Sequence, residues 1–324
     1  MDAGVRGSLG ALGAALYGAA WESRRRAYAR GFLRPRRVGA RVVSVGNLTV
    51  GGTGKTTLAL HLARRALERG LAPAVVCRRY HPGPGGRGDE ELMYRAALGA
   101  ERVFAAARKL AGADAAARAG LEPVIVDDGF SHWPLARDVD IVLLDARDFT
   151  GGGRLLPAGR LREPLRALQR ARAVVVSRLG AGDDPAPWLE RARALAPGAL
   201  LAAGRHRVRG VRPLAGGEVP GGVRVRVVTA TGNPPAVEAS AREAGLEVVA
   251  VSPWRDHHWF TPREAREELA RAGHEDSWVL LTEKDAVRWP QVAGPARVAV
   301  LEVEWDWVTG GEVVERLALE GEGA

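Results

Sequence analysis

Cysteine and lysine are almost missing from this chain. Cys77 is the single cysteine among 324 residues, so no intramolecular disulfide can form, which suits a reducing compartment. It follows Ala74-Val75-Val76 and reads as a small buried hydrophobe in a strand rather than a reactive thiol. Of 47 basic side chains only Lys55, Lys109 and Lys284 are lysines. Against that arginine background a retained lysine points to a place that needs a compact ammonium rather than a planar fork. Lys55 and Lys284 sit in motifs, whereas Lys109 does not. Interleaved basic-aromatic tracts and nucleic-acid motifs are also missing. The net charge of +9 therefore points to an anionic membrane or a phosphorylated substrate, with no nucleic acid and no obligate protein partner implied.

Residues 8–21 are uncharged and mostly small-apolar, but too short to span a bilayer as a helix. A secretory signal would carry its positive charge before the apolar run, and only Arg6 does so. The dense cluster Arg24, Arg25, Arg26, Arg30, Arg34, Arg36 and Arg37 comes after it. An apolar helix followed by basic residues reads as an interfacial anchor on anionic lipid; the alternative is a helix packed on the first domain.

The rest is ordinary globular composition, 46% hydrophobic and 26% charged, and the length fits two domains. Arg41-Val42-Val43-Ser44-Val45 reads as a buried strand, residues 58–69 as a helix ended by Gly70, and residues 74–77 as a second strand. Strand, helix, strand at this spacing is a βαβ unit and hence a parallel sheet. Residues 81–88 (HPGPGGRG) must be a loop, and residues 90–98 a helix. Val103-Phe104 is a short strand, followed by an Ala-rich helix to Ala119. Further strands fall at 124–126, 141–144 and 173–176. Residues 204–222 are basic and Gly-rich and resemble a linker, with a hairpin as one form. A second α/β unit then follows, with strands at 223–228, 247–251 and 278–281 and helices at 235–244 and 262–272. A short helix comes after Gly310. The expected division is 1–37, an N-terminal membrane-associating helix and basic segment; 38–204, a P-loop domain; 205–222, the linker; and 223–324, a C-terminal α/β domain. The fold class is α/β: a P-loop NTPase-like parallel sheet with helices on both faces, plus a smaller α/β domain joined by a short β linker.

Gly51-Gly52-Thr53-Gly54-Lys55-Thr56-Thr57 is the strongest chemical signal. Backbone N–H groups of such a loop cradle phosphate at a helix N-terminus. Lys55 would reach the β/γ-phosphates of ATP, and the Thr56 hydroxyl would bind Mg²⁺. The generic pattern asks for Gly where Thr49 stands. Asp127-Asp128, closing a hydrophobic strand, are the expected Mg²⁺ partners. His132, in the loop that follows, is a candidate contact to phosphate or acceptor. Asp89, at the start of a helix, is either an N-cap or the general base for an acceptor hydroxyl. Arg162-Glu163-Pro164 offers a guanidinium for phosphate and a carboxylate to assist Mg²⁺. Asp256-His257-His258 fits proton handling better than zinc. Thr282-Glu283-Lys284-Asp285 reads equally as an anion-binding loop or a helix-starting surface turn.

In this order VSVGNLTVGGTGKT, GDEE, VIVDDGFSH, LLPAGRLREPL, DHHWFT and LLTEKDAV resemble the tetraacyldisaccharide 4′-kinase family, over most of the chain. Thr49 is the family's own form of the loop. The resemblance implies ATP-Mg²⁺-dependent phosphorylation of the 4′-hydroxyl of a tetraacyldisaccharide 1-phosphate, a lipid-linked disaccharide of lipid A biosynthesis. It also implies peripheral attachment to the cytoplasmic face of the inner membrane and a site in the cleft between two α/β domains. Lys55 and Thr56 match its P-loop pair, Asp127 and Asp128 its metal-proximal acids, Asp89 its catalytic base and His257 the partner histidine. His132, Arg162 and Glu163 match other site positions. With Asp89 and His257 in different domains by the division above, domain closure would assemble the site. The chain departs from the family at Thr57 (usually Pro), Ser131 (usually Gln), Cys77-Arg78-Arg79-Tyr80-His81 and Thr231-Gly232-Asn233-Pro234-Pro235. The rival readings are a P-loop ATPase or GTPase switch of the partitioning or metallochaperone type and a nucleotide-binding scaffold without chemistry. The switch typically carries a second Lys where Val50 stands.

Overall fold

The computed structural model describes residues 2–79, 83, 85–180, 182–290 and 297–320, with side chains from residue 10 onward. His81 and Pro82 of the Gly/Pro loop, and Tyr80 before it, lie outside the described residues. In chain order the elements begin with α1 (Asp2–Ala29), β1 (Val42–Asn47), α2 (Lys55–Glu68), β2 (Ala74–Arg78), α3 (Asp89–Leu98) and β3 (Val103–Ala106). There follow α4 (Lys109–Arg118), β4 (Val124–Asp127), β5 (Val139–Asp145), β6 (Ala173–Ser177), α5 (Ala186–Leu195) and β7 (Leu200–Pro213). The last are β8 (Arg224–Thr229), α6 (Pro234–Glu243), β9 (Glu247–Pro253), α7 (Pro262–His274), β10 (Trp278–Thr282), α8 (Glu283–Ala286), β11 (Val298–Thr309) and α9 (Gly311–Leu319).

The chain forms two compact units. The first comprises Met1–Arg78, Glu101–Arg205 and Trp305–Ala324, the second Arg79–Ala100 and His206–Glu304. In the first unit the strands run β3-β2-β4-β1-β5-β6-β7. The pairs from β3 through β7 are parallel. Every residue of β1, β4, β5 and β6 is buried, because a parallel sheet covered on both faces asks for unbroken apolar runs. The register Val45↔Asp127 sets the end of β4 beside the end of β1, where the Gly-rich loop begins. Helix α2 buries Leu58, Ala59, Leu62, Ala63 and Ala66 and leaves its charged face outside. In the second unit β11, β10, β8 and β9 follow one another in parallel. Helix α7 starts on a full capping box, Thr261 with Glu264.

Two features differ from the sequence reading. Residues 204–222 hold no hairpin; most of them extend β7 into a 14-residue strand. Arg205 pairs with Asp306, Arg207 with Glu304, and Arg209 and Arg212 with Glu302, so the basic run faces an acidic one on β11. Residues 79–100 belong to the second unit, where α3 packs on α8, and residues 305–324 return to the first, where α9 packs on α2. Helix α1 runs on through Arg24, Arg25 and Arg26; Glu22 binds Arg25, Arg26 and Arg166, which keeps that arginine stretch helical. Its glycines let it lie close to the first unit, with Gly13 against Pro157 and Gly18 against Leu155. Trp21 is buried edge-on to Trp133. Among the described residues no helix is long and apolar enough to cross a membrane.

Candidate active-site residues

In the first unit, β1 ends in a loop that two glycines make possible. Gly51 (φ 114°) and Gly54 (φ 91°) adopt left-handed backbone that a side chain would strain, and Gly54 caps α2. Gly52 and Thr53 complete the turn, Thr53 being buried, while Lys55, Thr56 and Thr57 form the first turn of α2. Lys55 Nζ donates to Asn47 Oδ1 at 3.1 Å and lies 3.8 Å from Asp128 Oδ1. Thr56 Oγ1 donates to Asp127 Oδ2 at 3.0 Å. Two arginines outside the sequence-based candidates brace the loop, Arg160 from within the LLPAGRLREPL run and Arg178 from beyond any motif. Arg160 bridges Asp148 and the Val50 carbonyl, and Arg178 bridges Asp145 and the Gly52 carbonyl. Asn47 also lies outside the sequence-based candidates. Its position at the carboxyl end of β1 is the signal that could have found it.

Asp128 adopts φ 54°, which turns its carboxylate toward three cations. Arg162 grips it with two hydrogen bonds of 2.8 and 2.6 Å, and Arg162 also binds Asn47. Lys109, the lysine without a motif, donates to the Asp128 carbonyl and lies 3.9 Å from its carboxylate. Burial alone would raise the Asp128 carboxyl; the Arg162 bonds and Lys55 outweigh it and hold the group well below the usual carboxylate range. Glu163 goes elsewhere. It is buried against Arg170 at 2.7 Å, and Arg170 stacks on Phe130 and Trp133. His132 sits near this group, and burial, then Lys109 and Arg137, push its imidazole down to about 4, so it is neutral at pH 7. Among the described residues no group of three or more His, Cys, Asp or Glu gathers into a metal cage. The hard oxygens of Thr56, Asp127 and Asp128 beside a phosphate-binding loop nonetheless fit Mg²⁺, which takes one or two carboxylates together with substrate phosphates.

In the second unit, Gly88 rather than Asp89 precedes α3, and Asp89 is its first residue. The Asp89 carboxylate is buried. One oxygen accepts from the Glu90 N–H at 2.9 Å and the other meets His257 Nδ1 at 2.9 Å. Lys284 and Arg288 stand 3.8 and 3.5 Å from that second oxygen. Burial pushes Asp89 up, but the His257 hydrogen bond and the Lys284 charge hold it at about 2. His257 takes φ 62° and donates its backbone N–H to the Ala230 carbonyl, a turn that aims the ring at Asp89. The Asp256-His257-His258 run does not converge on one point. His258 binds Glu264 at 3.0 Å and stacks on Trp254, while Asp256 lies 3.9 Å from His257 Nε2. Asp89 and His257 thus belong to one unit and already touch. The expectation that they meet only when two domains close is corrected, because residues 79–100 pack with the second unit.

A Gly-rich turn opening a helix after the central strand of a parallel sheet, with an acid closing the adjoining strand, defines a nucleotide-binding α/β protein of the P-loop class. The family model described as tetraacyldisaccharide-1-P 4′-kinase matches residues 9–320. The tetraacyldisaccharide 4′-kinase of Anaeromyxobacter sp. (strain Fw109-5) is 36% identical over 328 residues, covering 92% of this chain and 85% of the relative. That of Geobacter sulfurreducens is 36% identical over 305 residues, covering 87% and 84%. A crystal structure of an "apo" form of LpxK from Aquifex aeolicus in complex with ATP superposes with TM-score 0.67 at 25% identity, covering 94% of this chain and 95% of that one. The chain belongs to the tetraacyldisaccharide-1-P 4′-kinase family.

Proposed function

We propose that this protein transfers the γ-phosphate of ATP to the 4′-hydroxyl of a tetraacyldisaccharide 1-phosphate, the lipid-linked acceptor of its family. The observation that carries this reading is the 2.9 Å contact between Asp89 and His257, 168 residues apart. A nucleotide switch has no use for a buried acid held by an imidazole, whereas an enzyme that deprotonates an alcohol does.

The roles follow from the chemistry of each group. The loop amides from Gly51 to Gly54 and the Lys55 ammonium bind the β- and γ-phosphates. Thr56, Asp127 and Asp128 would hold Mg²⁺, which when bound neutralises phosphate charge. Arg162 keeps Asp128 ionised and aimed, and its fork also suits a phosphate oxygen. Glu163, tied to Arg170, supports that segment, and His132 offers a neutral hydrogen-bonding ring to phosphate or acceptor. Asp89 meets the acceptor hydroxyl. Held at about 2, its carboxylate is a weak final resting place for a proton. His257 donates its Nδ1–H to that carboxylate and holds it ionised and aimed, so that Asp89 takes the hydroxyl proton only as transfer proceeds. Asp256 lies 3.9 Å from His257 Nε2, where its charge would stabilise a proton on the ring.

Leu12, Leu16, Tyr17, Phe32 and Leu33 are exposed on or just after α1, near the arginine cluster. Together they form an apolar and basic surface suited to anionic lipid at the inner membrane. Incubation with γ-labelled ATP, Mg²⁺ and the disaccharide tests the main reading. Label on the acceptor supports it; label released as phosphate regardless of acceptor supports the switch. Co-sedimentation with anionic vesicles, reduced in Leu16→Asp, tests the surface.

A further inference from the structure

The segment 282–288 carries groups that the roles above leave unused. Arg288 is fully buried, as is Asp285. Arg288 Nε donates to the Lys284 carbonyl at 3.0 Å, and Nη2 to Asp285 at 2.6 Å and to the Ala230 carbonyl at 3.2 Å. Asp285 also accepts from Thr229 Oγ1, Thr282 Oγ1 and the Ala230 N–H. The Ala230 peptide is therefore clasped on both sides, and its carbonyl is the acceptor for the His257 backbone N–H at 3.1 Å. The remaining nitrogen, Arg288 Nη1, has no hydrogen-bond partner among the described residues and lies 3.5 Å from Asp89 Oδ2.

A buried guanidinium needs one carboxylate to balance its charge, and Asp285 supplies it. A purely structural pair would have no reason to leave an N–H group bare and aimed at a second acid, since an unpaired buried donor costs stability. We propose that Arg288, locked by Asp285, is a positioning residue for the reaction, fixing Asp89 through Nη1 and His257 through Ala230, with Lys284 as a second positive charge beside Asp89. The inference rests on the reading of Asp89 and His257 as the proton-handling pair. The charged groups facing Asp89 are Lys284 and Arg288 from α8 and the residues just after it, with Asp285 behind them, and His257 and Asp256 from the segment after β9. From its own helix comes Glu90, which pairs with Lys284 at 3.3 Å. The cations outweigh the acids, in keeping with the depressed Asp89 titration.

The test is steady-state transfer kinetics with γ-labelled ATP across pH, together with ATP affinity and thermal melting. Arg288→Lys keeps the charge and loses the fork. It should lower kcat about 10- to 100-fold with ATP affinity unchanged, as expected when a reacting group is displaced by a fraction of an ångström to about 1 Å. Lys284→Met removes charge without touching the Ala230 clasp. It should move the acid limb of kcat/KM, which belongs to the Asp89–His257 pair as a whole, upward by about one unit. Arg288→Met should show both effects. If Arg288→Met does not fold, Lys284→Met and Arg288→Lys decide. An Arg288→Lys enzyme with wild-type kcat, or a Lys284→Met profile superimposed on the wild type, overturns the inference. Wild-type protein that transfers no phosphate to the disaccharide would instead overturn the kinase reading itself.

Discussion

Asp128 in the first unit and Asp89 in the second are each a carboxylate facing three nitrogen-bearing side chains. Their partners differ in kind. Asp128 is gripped by the Arg162 fork with Lys55 and Lys109 close by, all permanently charged near neutral pH. Asp89 makes its one side-chain hydrogen bond to an imidazole, with Lys284 and Arg288 farther off. A carboxylate whose partners cannot exchange a proton is a fixed charge, which suits the metal and phosphate side of the reaction. One whose nearest partner is an imidazole hydrogen-bond donor is held in place yet remains able to take a proton from an alcohol. The two acids are thus distinguished by the kind of partner that stands next to each.

The largest effect expected from breaking this contrast is at Lys55. Lys55→Met removes the ammonium proposed to bind phosphate and a cation beside Asp128, so transfer should fall about 10³-fold with weakened ATP binding, read by labelled transfer and by titration. Asp89→Asn should lower kcat by about 10²- to 10⁴-fold and leave ATP affinity as it was, if Asp89 is the proposed proton acceptor and the Gly-rich loop is untouched. Glu315 sharpens the comparison from outside the chemistry. This buried acid on α9 binds His61, Arg65 and Arg69. Burial would raise it, but the His61 and Arg65 bonds hold it at about 2. Its folded value lies below its unfolded one, so the stability it adds is complete above about pH 4.5 and is lost as pH falls toward 2. Glu315→Gln should cost about 2 kcal/mol in a denaturant melt at pH 7 and less at acid pH, with Asp89-dependent chemistry unchanged. The smallest effect is at His132. Its imidazole is pushed down to about 4 and should stay neutral across the neutral range in a proton NMR titration. The stability linked to it is complete above about pH 6.5 and lost as pH falls through 4.

Much of the first unit is legible in the sequence. Val42 to Val45, Val124 to Val126 and Ala173 to Val176 are largely β-branched runs because both faces of a parallel sheet are covered, and Gly54 and Gly70 bracket α2. Lys55, Thr56 and the two acids at the end of β4 follow from that frame. What escapes is long-range. Strands β7 and β11 alternate arginine with acid, so each looks like a solvated stretch until its partner about a hundred residues away is known. Chain order sets Asp89 beside the first domain's strands, while the packing of α3 on α8 puts it beside His257. Arg288 is one arginine among many, and nothing local marks its bare nitrogen. The TEKD run stands out through its rare lysine, but its partner, Asp89, lies 195 residues earlier.

A double-mutant cycle on Asp89 and His257 tests the central claim most directly. Transfer rates of Asp89→Asn, His257→Asn and the double variant are compared at saturating ATP. If the pair handles one proton as a unit, the double variant is about as slow as the slower single one, and ATP affinity is unchanged in all three. Losses that multiply, or an Asp89→Asn enzyme at the wild-type rate, would contradict it.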